Sequence, residues 1–177
     1  ACYEIIEDVK NFRSEIGVLF LNGYNRDVLT KMFDDNRLTY TSLFKARPHI
    51  FVSKSNPLAK HKVVSLEDLE DFPYLSYDQG IHNSFYYSEE ILSQIPHKKS
   101  IVVSDRATLF NLLIGLDGYT IATGILNSNL NGDNIVSIPL DVDDEIDIVY
   151  LKHEKATLSK MGEKFLDNLV KEVTFDD

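Results

Sequence analysis

The 177-residue chain is short of the residues that staple, break or anchor a protein. It has one cysteine (Cys2), no tryptophan, five prolines and eight glycines. A lone thiol excludes an intrachain disulfide. No apolar run approaches the ~20 residues of a spanning helix, and no Asn-x-Ser/Thr acceptor occurs. The expectation is a chain of the reducing cytoplasm. Gly115, Gly118 and Gly124 do not follow a strand at the spacing of a phosphate-cradling loop, which argues against nucleotide binding through that motif. Basic residues are also scarce. Eighteen Lys and Arg face twenty-eight Asp and Glu, a formal net charge of −10. Nucleic acids are held by cations that displace counterions, so this segment alone is a poor DNA or RNA binder.

What is present is core-forming material. The chain is 44% hydrophobic, with nine Tyr and ten Phe. At this length about 70% of the unfolded surface can be buried. Cys2, Ile5, Ile6, Val9 and Phe12 recur at helical spacing. Ile16 to Leu21 is a continuous apolar run that suits a strand buried on both faces. Val28, Leu29, Met32 and Phe33 mark a second helix. Strands are expected at 38–45, 49–53, 74–77, 101–103, 119–122, 135–140 and 146–151. Ser65 is placed to cap a short helix to Asp71, and Ser104 to cap one over 105–116 with Gly118 as its C-cap. A helix is expected from Ser84 to Ile95. The closing helix carries Leu158, Met161, Phe165, Leu166, Leu169, Val170 and Val173 on one side. Alternating strands and helices predict an α/β fold with mixed, largely parallel sheets. Residues 100–122 are its clearest β-α-β unit.

Catalytic patterns are weak. Asp78, His82 and Ser84 have the residue types of a hydrolase triad, but no nucleophile elbow surrounds Ser84. A polar loop is the simpler reading. The five histidines show no paired ligand spacing, so no metal is expected. The run Asp141, Asp143, Asp144, Glu145, Asp147 lacks the glycine of a calcium loop, with Ile146 in its place. No cofactor is implied. More coherent is a set of polar residues after strands: Asn22, then Tyr77, Asp78 and Gln79, then Ser104, then Thr123. Ligands of open α/β sheets bind outside the carboxyl ends of strands, where helix N-termini also offer N–H groups.

Four stretches in this order carry a family resemblance. They are Ile16-Gly17-Val18; His49 to Ala59; Val64 to Leu75; and Gly115 to Gly124. Together with the closing helix they resemble the effector-binding regulatory domain of LysR-type transcriptional regulators. That family shares the two-lobed type 2 periplasmic-binding-protein fold. The likeness spans about Ile16 to Val170. Asn56 stands where the family usually has His, Gly124 where it has Pro, and Asp117 precedes Gly118.

The resemblance implies a domain that is not an enzyme. Lobe I would be residues 1–47 and 152–177, and lobe II residues 48–151. The first β-α-β of lobe I and a winged helix-turn-helix are expected on segments absent from this chain. A small polar metabolite, anionic or zwitterionic, is expected at Tyr77, Asp78, Gln79, Ser104, Thr123 and Asn22. The parent is expected to be a homo-oligomer that meets DNA only through the absent domain. The alternatives are a solute-binding or dehydratase-like domain on the same fold, or an oligomerisation module.

Overall fold

The computed structural model describes residues 2–78, 88, 90–125 and 133–174. The chain divides into two compact units, one of Ala1–Ala46 and Glu145–Asp177, the other of Arg47–Gly80 and Glu90–Asp144.

The first unit holds helices α1 (Cys2–Lys10), α2 (Arg26–Asp35) and α4 (Lys160–Thr174) with strands β1 (Gly17–Leu21), β2 (Leu38–Ala46) and β8 (Ile146–His153). Its sheet runs β1-β8-β2, with β8 antiparallel to both neighbours. The strand β8 therefore belongs to the first unit, although most of it was expected in the second lobe. Period-two alternation along β1 sends Leu19 and Leu21 into a core with Ile6, Val9, Leu29, Phe33, Val149 and Leu151. Gly17 permits the close approach of α1, because a Cβ there would lie 2.6 Å from Ile5 Cγ2. The closing helix buries Gly162 and Leu166, whereas Met161 and Phe165 are exposed. The apolar stripe of that helix is thus wider than the face it buries within its own unit.

The second unit contains β3 (His49–Ser53), β4 (Tyr74–Tyr77), β5 (Ser100–Val103), α3 (Arg106–Gly115), β6 (Tyr119–Ala122) and β7 (Ile135–Pro139). The sheet order is β5-β4-β6-β3-β7. It is mixed, as expected, but the sheets are not largely parallel: every pairing of β1, β8 and β2 is antiparallel, because β8 runs back between the other two. Among the second unit's strands β4 is parallel to β5 and β6, and β3 is antiparallel to β6 and β7. The segment 100–122 forms the expected β-α-β unit with β4 lying between its two strands. Phe51, Leu75, Val103, Leu109, Leu113 and Ile135 make the core under α3.

Several local expectations change. Only a 3-10 turn, Glu67–Leu69, forms after Ser65, although Ser65 and Asp68 do make the reciprocal cap. The described end of the helix expected over 84–95 consists of turns from Ile91, with Leu92 at φ 57°. Gly118 is not the C-cap of α3. Asp117 takes the left-handed conformation, φ 49°. Gly118 is small because a Cβ would sit 2.9 Å from Leu75 Cδ1 and 3.0 Å from the Pro73 carbonyl. Asn56 is buried, and its side chain accepts from the Leu58 N–H at 2.9 Å and donates to the Asp117 carbonyl at 2.7 Å. That double bond set accounts for an amide at this position.

Candidate functional site

The parallel strands gather their carboxyl ends at one edge of the second unit's sheet. Tyr77 is in register with Val103, and the Asp78 N–H donates to the Val103 carbonyl at 2.9 Å. Tyr77 and Asp78 therefore lie beside Ser104, the residue after β5. On the other side of β4, Tyr74 is in register with Tyr119. Following the two parallel strands forward brings the end of β4 beside the end of β6 and Thr123. Four of the six expected positions thus share one edge.

Their surroundings differ. Asp78 and Ser104 are exposed, and Tyr77 and Thr123 are half-buried. The Tyr77 N–H donates to Glu90 Oε1, while the Tyr74 hydroxyl donates to Glu90 Oε2 at 3.3 Å. Burial raises the Tyr77 hydroxyl above its ordinary value, and the nearby Arg106 opposes that shift. After Thr123 comes Gly124 at φ 85°, with the His49 ring so close that a Cβ would meet Nδ1 at 2.6 Å. The Ser137 hydroxyl donates to the Gly124 carbonyl at 3.2 Å.

Ser104 is not the cap of α3. Asp105 takes that role, accepting from the Thr108 N–H at 2.9 Å and the Thr108 hydroxyl at 2.7 Å. Those bonds hold its carboxyl below the usual carboxylate range. The helix N-terminus, expected to offer amides to an anion, already carries a negative charge of its own. Arg106 lies 5.0 Å from the centre of the Phe110 ring, within cation–π range.

Asn22 is in the other unit, at the end of an antiparallel strand. It is buried, and its Oδ1 accepts from the N–H groups of Tyr24 (3.1 Å) and Asn25 (3.0 Å). Asn25 returns the bond, accepting from the Asn22 N–H at 2.9 Å. The two asparagines lock the turn into α2. Gln79, His82 and Ser84 lie outside the described residues. Of the acidic run, Asp147 is buried in β8, where it accepts from the Ser42 hydroxyl and pairs with Arg26 at 3.1 Å. Among the described residues no group of three or more His, Cys, Asp or Glu is placed to hold a metal, and no helix is long and apolar enough to cross a membrane.

Glu90 and Asp105 are the two residues at this edge that sequence reasoning missed. Asp105 was visible as the first residue of Asp-x-x-Thr, which is as good a capping signal as Ser104. Glu90 carried no signal, since its partners come from thirteen and sixteen residues upstream.

Comparison with known proteins agrees with this architecture. The family model for the LysR substrate binding domain matches residues 2–174. No curated protein matches. Among solved structures, the chain is 15% identical to HinK, a LysR family transcriptional regulator from Pseudomonas aeruginosa, with a TM-score of 0.65. That match covers 97% of this chain and 57% of HinK, so the chain spans little more than half of that relative. The effector binding domain of QuiR in complex with shikimate is 17% identical, with a TM-score of 0.62, over 99% of this chain and 79% of that one. The BenM effector binding domain with its effector benzoate is 20% identical, with a TM-score of 0.63, over 98% of this chain and 75% of that one. The first of these is a transcriptional regulator, and the other two are effector binding domains. The chain belongs to the family of LysR substrate binding domains.

Proposed function

We propose that a small polar metabolite binds at the carboxyl ends of β4, β5 and β6, against Tyr77, Asp78, Ser104 and Thr123. The observation that carries this reading is the gathering of four polar residues from three strands at one sheet edge. Binding shifts the domain only as far as the ligand prefers one arrangement over another. In the cytoplasmic parent, a homo-oligomer, that shift governs DNA binding by a winged helix-turn-helix elsewhere in the polypeptide.

The acidic neighbours narrow the ligand. Asp78, Asp105 and Glu90 outnumber Arg106, so a zwitterion or an amine-bearing molecule matches this edge better than a simple anion. The test is a thermal-shift screen of amino acids, amines and hydroxy acids, followed by calorimetry. A hit should lose its shift in Ser104→Trp/Thr123→Trp while the variant keeps the native far-ultraviolet spectrum. A shift of unchanged size in that variant removes both positions from the site.

A further inference from the structure

Glu90 accepts a bond that regular strand pairing would have sent elsewhere. In a central strand the peptide N–H groups face its two neighbours in turn. Those of Tyr74 and Asp78 donate to the Lys99 and Val103 carbonyls, on the β5 side. The Tyr77 N–H therefore faces β6. On that side the Tyr119 N–H donates to the Pro73 carbonyl at 3.0 Å, and Tyr74 with Tyr119 is the only registered pair of the two strands among the described residues. A parallel ladder carried onward would give the Tyr77 N–H to the Ile121 carbonyl. It goes instead to Glu90 Oε1, while Oε2 accepts from the Tyr74 hydroxyl at 3.3 Å. Burial, then Glu90 itself, pushes the Tyr74 hydroxyl upward, so the phenol keeps the proton it donates. Both strands continue past the point where they part. β4 stays in register with β5 as far as Tyr77 and Val103, and β6 with β3 as far as Ala122 and His49. The sheet forks between them, and the fork opens toward the carboxyl ends.

We propose that Glu90 is the wedge that holds this fork open, a positioning residue for the strand-end site. Its purpose rests on the ligand reading given above, whereas the wedge itself rests on the pairing pattern alone. Ligands of open sheets lie in crevices outside strand ends, and a bond from Tyr77 to Ile121 would fill this crevice with backbone. Glu90 takes up the N–H that would close it. An N–H left with no acceptor there would be costly, so a carboxylate on the returning chain ends the ladder without leaving an unpaired donor.

NMR coupling across hydrogen bonds, read from an amide nitrogen to the acceptor carbon, tests the wedge without a ligand. In the native chain the Tyr77 nitrogen should couple to the Glu90 carboxyl carbon and not to the Ile121 carbonyl. Glu90→Ala, shown to be folded by its methyl spectrum, should lose the first coupling and gain the second. Glu90→Gln offers an amide oxygen to the same N–H and should keep the fork, with the coupling moved to its side-chain carbonyl. A native coupling from Tyr77 to Ile121, or its failure to appear in Glu90→Ala, overturns the wedge. The link to the site is read by thermal shift with ethanolamine, L-serine and L-lactate. A probe that shifts the native chain should lose its shift in Glu90→Ala and recover it, in whole or part, in Glu90→Gln. A shift retained in full by Glu90→Ala overturns the positioning role. If none of the three shifts the native chain while the couplings behave as stated, the strand-end reading fails and the wedge stands.

Discussion

Asn22 and Ser104 each follow a strand, yet they do different work. Asn22 ends β1, whose partner β8 runs antiparallel, so the end of β1 lies beside the beginning of β8 at Asp147. An antiparallel pair cannot collect its carboxyl ends. The polar residues there satisfy one another, as Asn22 does with Asn25, and Asp147 with Ser42 and Arg26. Ser104 ends β5, which is parallel to β4, as β6 is on the other side. Three carboxyl ends therefore share an edge with exposed polar groups. The rule that ligands sit outside strand ends holds only where the strands agree in direction.

Mutations can break this contrast. The largest effect belongs to the core of the antiparallel unit. Phe33 is fully buried, and Phe33→Ala should cost about 3–5 kcal/mol in urea unfolding. Next is Asp147→Ala, which strips the buried acceptor from Ser42 and Arg26 and should cost about 1–3 kcal/mol. Gly118→Ala forces a methyl against Leu75 and the Pro73 carbonyl, and should cost about 1–3 kcal/mol in the same assay. The sharpest pair comes after these. Asn22→Ala should lose about 1 kcal/mol, whereas Ser104→Ala should stay within about 0.5 kcal/mol. Equal losses would erase the distinction between a turn lock and a strand-end site.

The smallest effect is a pH dependence. Burial pushes the Tyr119 hydroxyl up to about 12 from 10.0. The unfolded chain releases this proton first, so the stability it contributes is complete below pH 10 and lost as the pH rises toward 12. Melting temperatures of the native chain and of Tyr119→Phe should diverge below pH 10 and converge above it. Parallel curves would place the alkaline loss elsewhere.

Much of the fold was legible because it rests on short-range rules. Strands at 49–53, 74–77 and 119–122 follow from apolar runs bounded by turn residues. Pairing direction was less accessible. The run from Ile16 to Leu21 reads as a doubly buried parallel strand, yet β1 alternates between buried and half-buried residues in an antiparallel sheet. Only the partner decides this, and β8 begins more than a hundred residues away. The assignment of β8 to its unit failed for the same reason. At the candidate site, Tyr77, Asp78, Ser104 and Thr123 were found by position after strands. Glu90 was hidden because its contacts to Tyr74 and Tyr77 join residues sixteen and thirteen positions apart, which no local pattern encodes. Gly118 looked like a helix stop, whereas its small size answers to Leu75, a contact no local pattern encodes.

The cap of α3 has an evolutionary consequence. A helix start that carries its own carboxylate behaves as a receptor with a tethered competitor, always present at high effective concentration. Replacing Asp105 with a neutral capping residue such as Ser or Asn keeps the helix and vacates the charge. At the proposed strand-end site that single replacement would leave Asp78 and Glu90 against Arg106, lessening the preference for a cationic group without rebuilding a strand.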